Sequence, residues 1–191
     1  MIKAIFFDFG GVIVDDKYTA IVDPLKKQLS PEKLAEFLCL EEGAARGQIG
    51  EEFLALGDKI LETKTLEGSP WVEDQYSHPD TQVIDLIKEL KTKYKVGMLS
   101  NNFSFWAEKL RQQDWMKIFD AVVISAEVGV VKPNKEIYLL AAEKIGCRPE
   151  ECVFIDNIQA NVDGAAAAGF AEAIKFEGIE KLKKSLDNIL E

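Results

Sequence analysis

A short apolar run near the start, Ile2, Ala4, Ile5, Phe6 and Phe7, ends on a carboxylate at Asp8, with Gly10 and Gly11 just beyond it. Apolar residues on both alternating faces place such a segment inside a sheet covered on both sides, as parallel strands are. In an open parallel sheet, ligands bind outside the carboxyl ends of the strands. An acid at that end, followed by glycines whose backbone N–H groups close around an anion, suits a nucleophile or a metal ligand. The same residues also read as a plain strand-ending turn, since Asp and Gly favour turns.

Beyond residue 80 the pattern alternates. Val83, Ile84, Leu86, Ile87 and Leu90 recur at helical spacing, and 95–100 reads as a short buried strand ending in a hydroxyl. A helix over 104–114 and a strand over 121–125 follow. Pro133 and Asn134 open a helix carrying Ile137, Leu140, Ala141 and Ile145, closed by Gly146. A strand over 152–156, an Ala-rich helix over 159–168, a strand over 171–176 and a helix over 179–190 complete the series. This predicts an α/β fold with a doubly wound parallel sheet.

Residues 16–78 break the rhythm. Helical segments at 17–29, 31–41 and 50–63 are separated by Pro24, Pro31 and the glycines Gly43, Gly47 and Gly50. The prediction is a small helical cap, 16–78, inserted after the first strand, with 1–15 and 79–191 forming the core domain. Phe53, Leu54, Leu56 and Ile60 have the spacing of a cap core. Arg46 reads as an exposed cation on a helix end, or as a contact to an anionic substrate. Trp71, Tyr76 and His78 fall on the return to the sheet.

The 191 residues carry a net charge of −10, which argues against nucleic acid or an anionic membrane as partner. Cys39, Cys147 and Cys152 are scattered and the chain has 1 His, so neither a zinc site nor a disulfide framework is expected. Three thiols without pairing partners, no span-length apolar run and no signal-peptide cleavage pattern predict a cytoplasmic protein.

Four candidate groups fall at or just beyond predicted strand ends: Asp8, Ser100 with Asn101, Lys132, and Asp156 with Asn157. Singly, each has an ordinary reading: a helix cap for Ser100-Asn101-Asn102, a surface charge for Lys132, a turn residue for Asp156. Together, a parallel sheet brings them to one crevice.

In this set the chain resembles the haloacid dehalogenase superfamily, in its branch with a helical cap after the first strand. The motifs are Asp8-Phe-Gly-Gly-Val12, Met98-Leu-Ser100-Asn101-Asn102, Val131-Lys132-Pro133 with Tyr138, and Phe154-Ile-Asp156-Asn157 followed by Asn161, Gly164 and Ala165. The resemblance implies a Rossmann-like core, Mg2+ as cofactor and, for most members, hydrolysis of a small phosphorylated metabolite by a monomer or homodimer. It implies that Asp8 attacks phosphorus and becomes an aspartyl phosphate. It implies metal ligation by an Asp8 oxygen, the Gly10 carbonyl and Asp156 with Asn157. The Ser100 hydroxyl and the Asn101 N–H would hold phosphoryl oxygens, and Lys132 would offset the crowded negative charge.

Two positions depart from that family pattern. Gly10 stands where most family phosphatases carry a second Asp as general acid and base. A missing general acid costs on the order of 10²- to 10⁴-fold, which favours good leaving groups such as an acyl phosphate or a sugar 1-phosphate. Asn157 stands where a second consecutive Asp often meets the metal, and one charge fewer weakens Mg2+ binding. Asp15 and Asp16 read as hinge or helix-start residues, with replacement of the missing acid as the alternative. Phe103, Phe105 and Trp106 are candidates for core or pocket lining. The competing functional readings are a catalytically impaired member that binds a phosphorylated ligand or a protein partner, a 2-haloacid dehalogenase, and a mutase.

Overall fold

The computed structural model describes residues 1–68 and 78–190. β1 (Ala4–Phe7) is the central strand, between β2 (Lys95–Ser100) and β4 (Cys152–Asp156), with β3 (Ala121–Ile124) and β5 (Glu172–Lys175) outside them. Every pairing is parallel. Phe7 lies opposite Met98 on one side and Ile155 on the other, so the carboxyl ends of the three central strands are level. That register puts Asp8, Ser100 and Asp156 at one edge of the sheet.

Helices join the strands. α1 (Lys17–Lys26), α2 (Pro31–Ala45) and α3 (Glu52–Leu61) follow β1, and α4 (Thr81–Leu90) leads into β2. α5 (Ser104–Arg111) and a 3-10 turn at Asp114–Ile118 precede β3; α6 (Ser125–Val128) and α7 (Lys135–Ile145) precede β4. α8 (Gln159–Ala167) and α9 (Ile179–Ile189) flank β5. Strand side chains alternate between two apolar cores. Ile5, Phe7, Val96, Met98, Val153 and Ile155 face α4, α5, α9 and the cap helices, whereas Ala4, Phe6, Leu99, Val123 and Phe154 face α7 and α8.

The cap helices close over the strand ends through an aromatic cluster. The Tyr18 ring packs edge-on against Phe103 and Trp106, and Phe53 lies 4.6 Å from Phe103 between ring centroids. The turn after α2 rests on α6. Gly47 has φ +72°, and a methyl group there would lie 2.1 Å from the Ala126 carbonyl oxygen.

Several helix limits differ from the sequence expectation. α1 continues through Pro24 and stops at Lys26 rather than 29. α2 runs past Gly43 to Ala45, because Gly43 is buried and leaves room for the Ile49 side chain. α3 ends at Glu62, which takes a left-handed conformation with φ 54°. Ser125, expected in β3, instead opens the short α6, which no sequence periodicity announces. Leu56 is 43% exposed and does not belong to the cap core; Phe53, Leu54 and Leu61 do, with Phe37 and Leu66, while Ile60 packs at its edge. Trp71 and Tyr76 lie outside the described residues. No described helix is long and apolar enough to cross a membrane.

Gly97 marks the tightest place in the sheet. It pairs with Phe6, and a methyl group on it would lie 2.3 Å from the Phe6 ring. That ring is held from behind by Phe170. Gly97→Ala is expected to lower unfolding free energy by about 1–3 kcal/mol through overpacking, measured as a shift of the urea midpoint at unchanged slope.

Candidate active site

β1 and β4 each end on an acid because the chain leaves the sheet there, and the flanking turns supply donors to hold it. Asp8 is 6% exposed and Asp156 0%. Ile158 N–H donates to Asp156 Oδ1 at 2.7 Å, and Asn161 Nδ2 donates to Oδ2 at 3.0 Å. After Asp8 the backbone turns sharply: Gly11 has φ +79° and its N–H donates to the Val14 carbonyl at 2.7 Å.

Lys132 reaches into this pair from the loop before α7. Its Nζ donates to Asp8 Oδ1 at 2.7 Å, Asp156 Oδ2 at 2.6 Å and the Leu99 carbonyl at 3.1 Å. The Phe154 ring centroid lies 5.2 Å from the same nitrogen. Lys132 is only 4% exposed, so the three charges meet away from water. The backbone of Lys132 is clamped by Asn101. Lys132 N–H donates to Asn101 Oδ1 at 2.8 Å, and Asn101 Nδ2 donates to the Lys132 carbonyl at 3.0 Å. Tyr138 OH donates to the Asn161 carbonyl at 2.7 Å and so steadies the residue that holds Asp156.

Two carboxylates against one ammonium leave one negative charge uncompensated. Burial pushes the Asp8 carboxyl up from 3.8 to about 7, Lys132 pulls it down, and the neighbouring Asp156 pushes it up again. A divalent cation would relieve that excess. Among the described residues no group of three or more His, Cys, Asp or Glu side chains is arranged to hold a metal. The available donors are instead two carboxylates supplemented by neutral oxygens. One of these is conspicuous: Asn157 Oδ1 is buried and has no hydrogen-bond partner among the described residues. Its amide lies against Gly11, where a methyl group would come within 2.2 Å of Nδ2. Oxygen donors of this kind, carboxylate and amide, fit Mg2+, which takes hard ligands and keeps several waters.

The sequence expectations for the other residues divide. Asp8, Gly10, Asn101 and Lys132 line a cavity of about 510 Å³ beneath the cap. Ser100 is buried outside that lining, and its Oγ donates along the chain to the Asn101 carbonyl at 3.4 Å. Asn157 also lies outside the lining, behind the glycine turn. Phe103 and Trp106 are both buried and form part of the cavity wall, whereas Phe105 does not. Arg46 is committed elsewhere: it donates to Glu42 Oε1 and, at 3.2 Å, to the Gly129 carbonyl, which ties α2 to the core. His78 lies by a second cavity with Asp15, Asp80 and Phe176. Asp16 caps α1 and also faces the first cavity. The side-chain role of Asn101 and the support from Asn161 were missed from the sequence; both sit in motif positions, but only contact across the fold shows what they hold.

Comparison with known proteins points the same way. A family model described as haloacid dehalogenase-like hydrolase matches residues 2–169. A phosphorylated carbohydrates phosphatase of Thermotoga maritima is 39% identical over 177 residues, 87% of this chain and 82% of that protein. A glyceraldehyde 3-phosphate phosphatase of Methanopyrus kandleri is 36% identical over 98 residues, 49% of this chain, which spans only 42% of that relative. Among solved structures, a mutant enzyme of the same family from Bacteroides thetaiotaomicron, in complex with magnesium and inorganic phosphate, superposes with a TM-score of 0.69 at 22% identity. The superposition covers 95% of this chain and 99% of that one, and it establishes a shared fold.

The Asp8 shift has a consequence for stability. The folded protein keeps a proton on Asp8 that the unfolded chain releases, so this group's contribution is present below about 4 and lost as pH rises to about 7. Metal-free wild type is therefore expected to lose stability relative to Asp8→Asn across that interval, the gap widening in the variant's favour. Thermal unfolding of both proteins at pH 5 and pH 8 checks the sign.

Proposed function

This chain belongs to the haloacid dehalogenase-like hydrolases, and within that family we propose that it is a magnesium-dependent phosphatase of a small phosphorylated metabolite. The observation that carries the reading is the buried Asp8–Lys132–Asp156 triad, of which Asp8 and Lys132 line the capped cavity. Phosphoryl transfer asks for positioning and charge neutralisation, and a fixed carboxylate beside a fixed ammonium supplies both.

In this reading Asp8 is the nucleophile. Its carboxylate oxygen forms a bond to phosphorus, the ester oxygen departs, and water then releases phosphate from the aspartyl phosphate. Lys132 holds Asp8 in one orientation and offsets charge on the phosphoryl group. Asn101 fixes the loop that presents Lys132, so its side chain positions rather than binds. Asp8, Asp156 and Asn157 would hold Mg2+, with the Gly10 carbonyl as a further oxygen donor; the bound ion would stabilise negative charge on phosphoryl oxygens. The magnesium and phosphate bound by the structural relative support this assignment.

The cavity speaks to the leaving group. Besides Asp8 and Lys132, the charged side chains among its described lining residues are the carboxylates of Asp15, Asp16, Glu41 and Glu42. Glu41 and Glu42 are paired with Lys26 and Arg46, so Asp15 and Asp16 are the ones that would repel a second anionic group on the substrate and accept hydrogen bonds from hydroxyls. Phe103 and Trp106 add flat apolar surface. A neutral polyol or sugar monophosphate matches this wall, and the phosphorylated carbohydrates phosphatase among its relatives supports that class.

The test is phosphate release from a panel of sugar and polyol monophosphates, bisphosphates and phosphorylated carboxylic acids, with and without Mg2+. Expected is metal-supported turnover that prefers the monophosphates and vanishes in Asp8→Asn. Thermal stabilisation by phosphate esters without any turnover would replace the enzyme by a ligand-binding protein. Halide release from a 2-haloacid without metal would replace phosphoryl by carbon–halogen chemistry.

A further inference from the structure

Breaking a phosphate ester through Asp8 leaves a proton to be handled twice, once for the departing oxygen and once from the attacking water. Position 10 offers no side chain for either step. We propose that Asp16 carries this proton; the assignment rests on the phosphatase reading above. A methyl group placed on Gly10 would lie 3.6 Å from Asp16 Cγ and 3.9 Å from its Oδ1. The Asp16 carboxyl therefore stands beside the space that a side chain at residue 10 would enter. It does so on the wall of the same cavity as Asp8.

Three of the other carboxylates on that wall are engaged, and the fourth, Asp15, is the more open to solvent. Asp8 is held by Lys132. Glu41 accepts from Tyr18 OH at 2.6 Å and from Lys26 Nζ at 2.8 Å, and Glu42 holds Arg46. Asp15 is exposed to solvent. Asp16 differs. Its Oδ1 accepts the Thr19 N–H at 3.0 Å, which caps α1 and fixes the orientation of the carboxyl. No second hydrogen bond to this carboxyl is seen among the described residues, and Oδ1 is its oxygen nearer to residue 10.

The two steps balance. In the first, an Asp8 oxygen bonds to phosphorus, the bond from phosphorus to the ester oxygen breaks, and protonated Asp16 gives its proton to that oxygen; the alcohol departs. In-line displacement sets the leaving oxygen opposite Asp8, on the cavity side of phosphorus. In the second, Asp16 carboxylate takes a proton from water as the water oxygen bonds to phosphorus. The bond from phosphorus to Asp8 breaks, hydrogen phosphate leaves, and both side chains return to their starting forms. With this group in place, alkyl esters fall within reach, and the glycine at position 10 does not confine the protein to acyl phosphates or sugar 1-phosphates.

The test compares wild type with Asp16→Asn, which keeps an N-cap acceptor for Thr19 while removing the proton carrier. Glycerol 1-phosphate serves as the poor leaving group, p-nitrophenyl phosphate and acetyl phosphate as good ones, all with Mg2+. Asp16→Asn is expected to lose about 10²-fold or more on glycerol 1-phosphate and less than about tenfold in the first step with the good leaving groups. Phosphorylated Asp8 should then accumulate, seen by intact mass, because its hydrolysis has lost the base. Should Asp16→Asn fold poorly, Asp16→Ser also preserves the cap. An equal loss on all three substrates with no adduct, or no loss at all, overturns the assignment while leaving the phosphatase reading intact. Wild type inactive on every phosphate overturns both.

Discussion

One ammonium group, Lys132 Nζ, stands between two buried carboxylates, and the strand ends are organised around it. Removing one partner of such a buried arrangement typically costs about 3–5 kcal/mol, because the remaining charge is left uncompensated. The fold answers with hydrogen bonds on every side: Ile158 and Asn161 donate to Asp156, Lys132 Nζ donates to the Leu99 carbonyl, and the Asn101 side-chain amide both accepts from and donates to the Lys132 backbone. Even so, one negative charge remains in excess, and its burial shows in the raised Asp8 carboxyl. That imbalance makes the crevice receptive to a cation, and hence to the phosphoryl anion the cation would help to hold.

The parallel sheet and the cap make this arrangement usable. Level ends of β1 and β4 bring Asp8 and Asp156 close enough to share one lysine. The cap helices then wall a cavity of about 510 Å³ over them, while the charged groups themselves lie buried at its floor. Tyr18, Phe53, Phe103 and Trp106 cement cap to core through ring contacts, and Arg46 and the close approach of Gly47 add a second point of attachment at α6. The division of labour is clear: the core holds the charges, and the cap supplies the walls against which a leaving group would rest.

Local physics explains which parts of this were legible in the chain. The strands announce themselves through unbroken apolar runs, and an acid ending such a run is visible without coordinates, as Asp8 and Asp156 were. Prolines and glycines were less dependable guides. Gly43 lies inside α2, buried against the Ile49 side chain, and Pro24 is carried within α1. Leu56 had the spacing of a core residue yet faces solvent, since the cap is too thin to bury every apolar position of α3. For Ser100 the family resemblance implies a contact to a phosphoryl oxygen, and in this structure its hydroxyl donates along the chain to the Asn101 carbonyl.

By itself, then, the amino-acid sequence determined the layered α/β architecture, the helical insertion and the identity of the charged groups at the strand ends, because apolar periodicity and chain reversals are encoded within short segments. Tertiary structure alone decided which partner each of those groups found. Asn101 meets Lys132 across 31 positions, and the Asp16 carboxyl comes beside Gly10 only after the backbone has turned through Gly11 and entered α1. Such meetings depend on directions fixed by packing in three dimensions, which spacing along the chain does not carry.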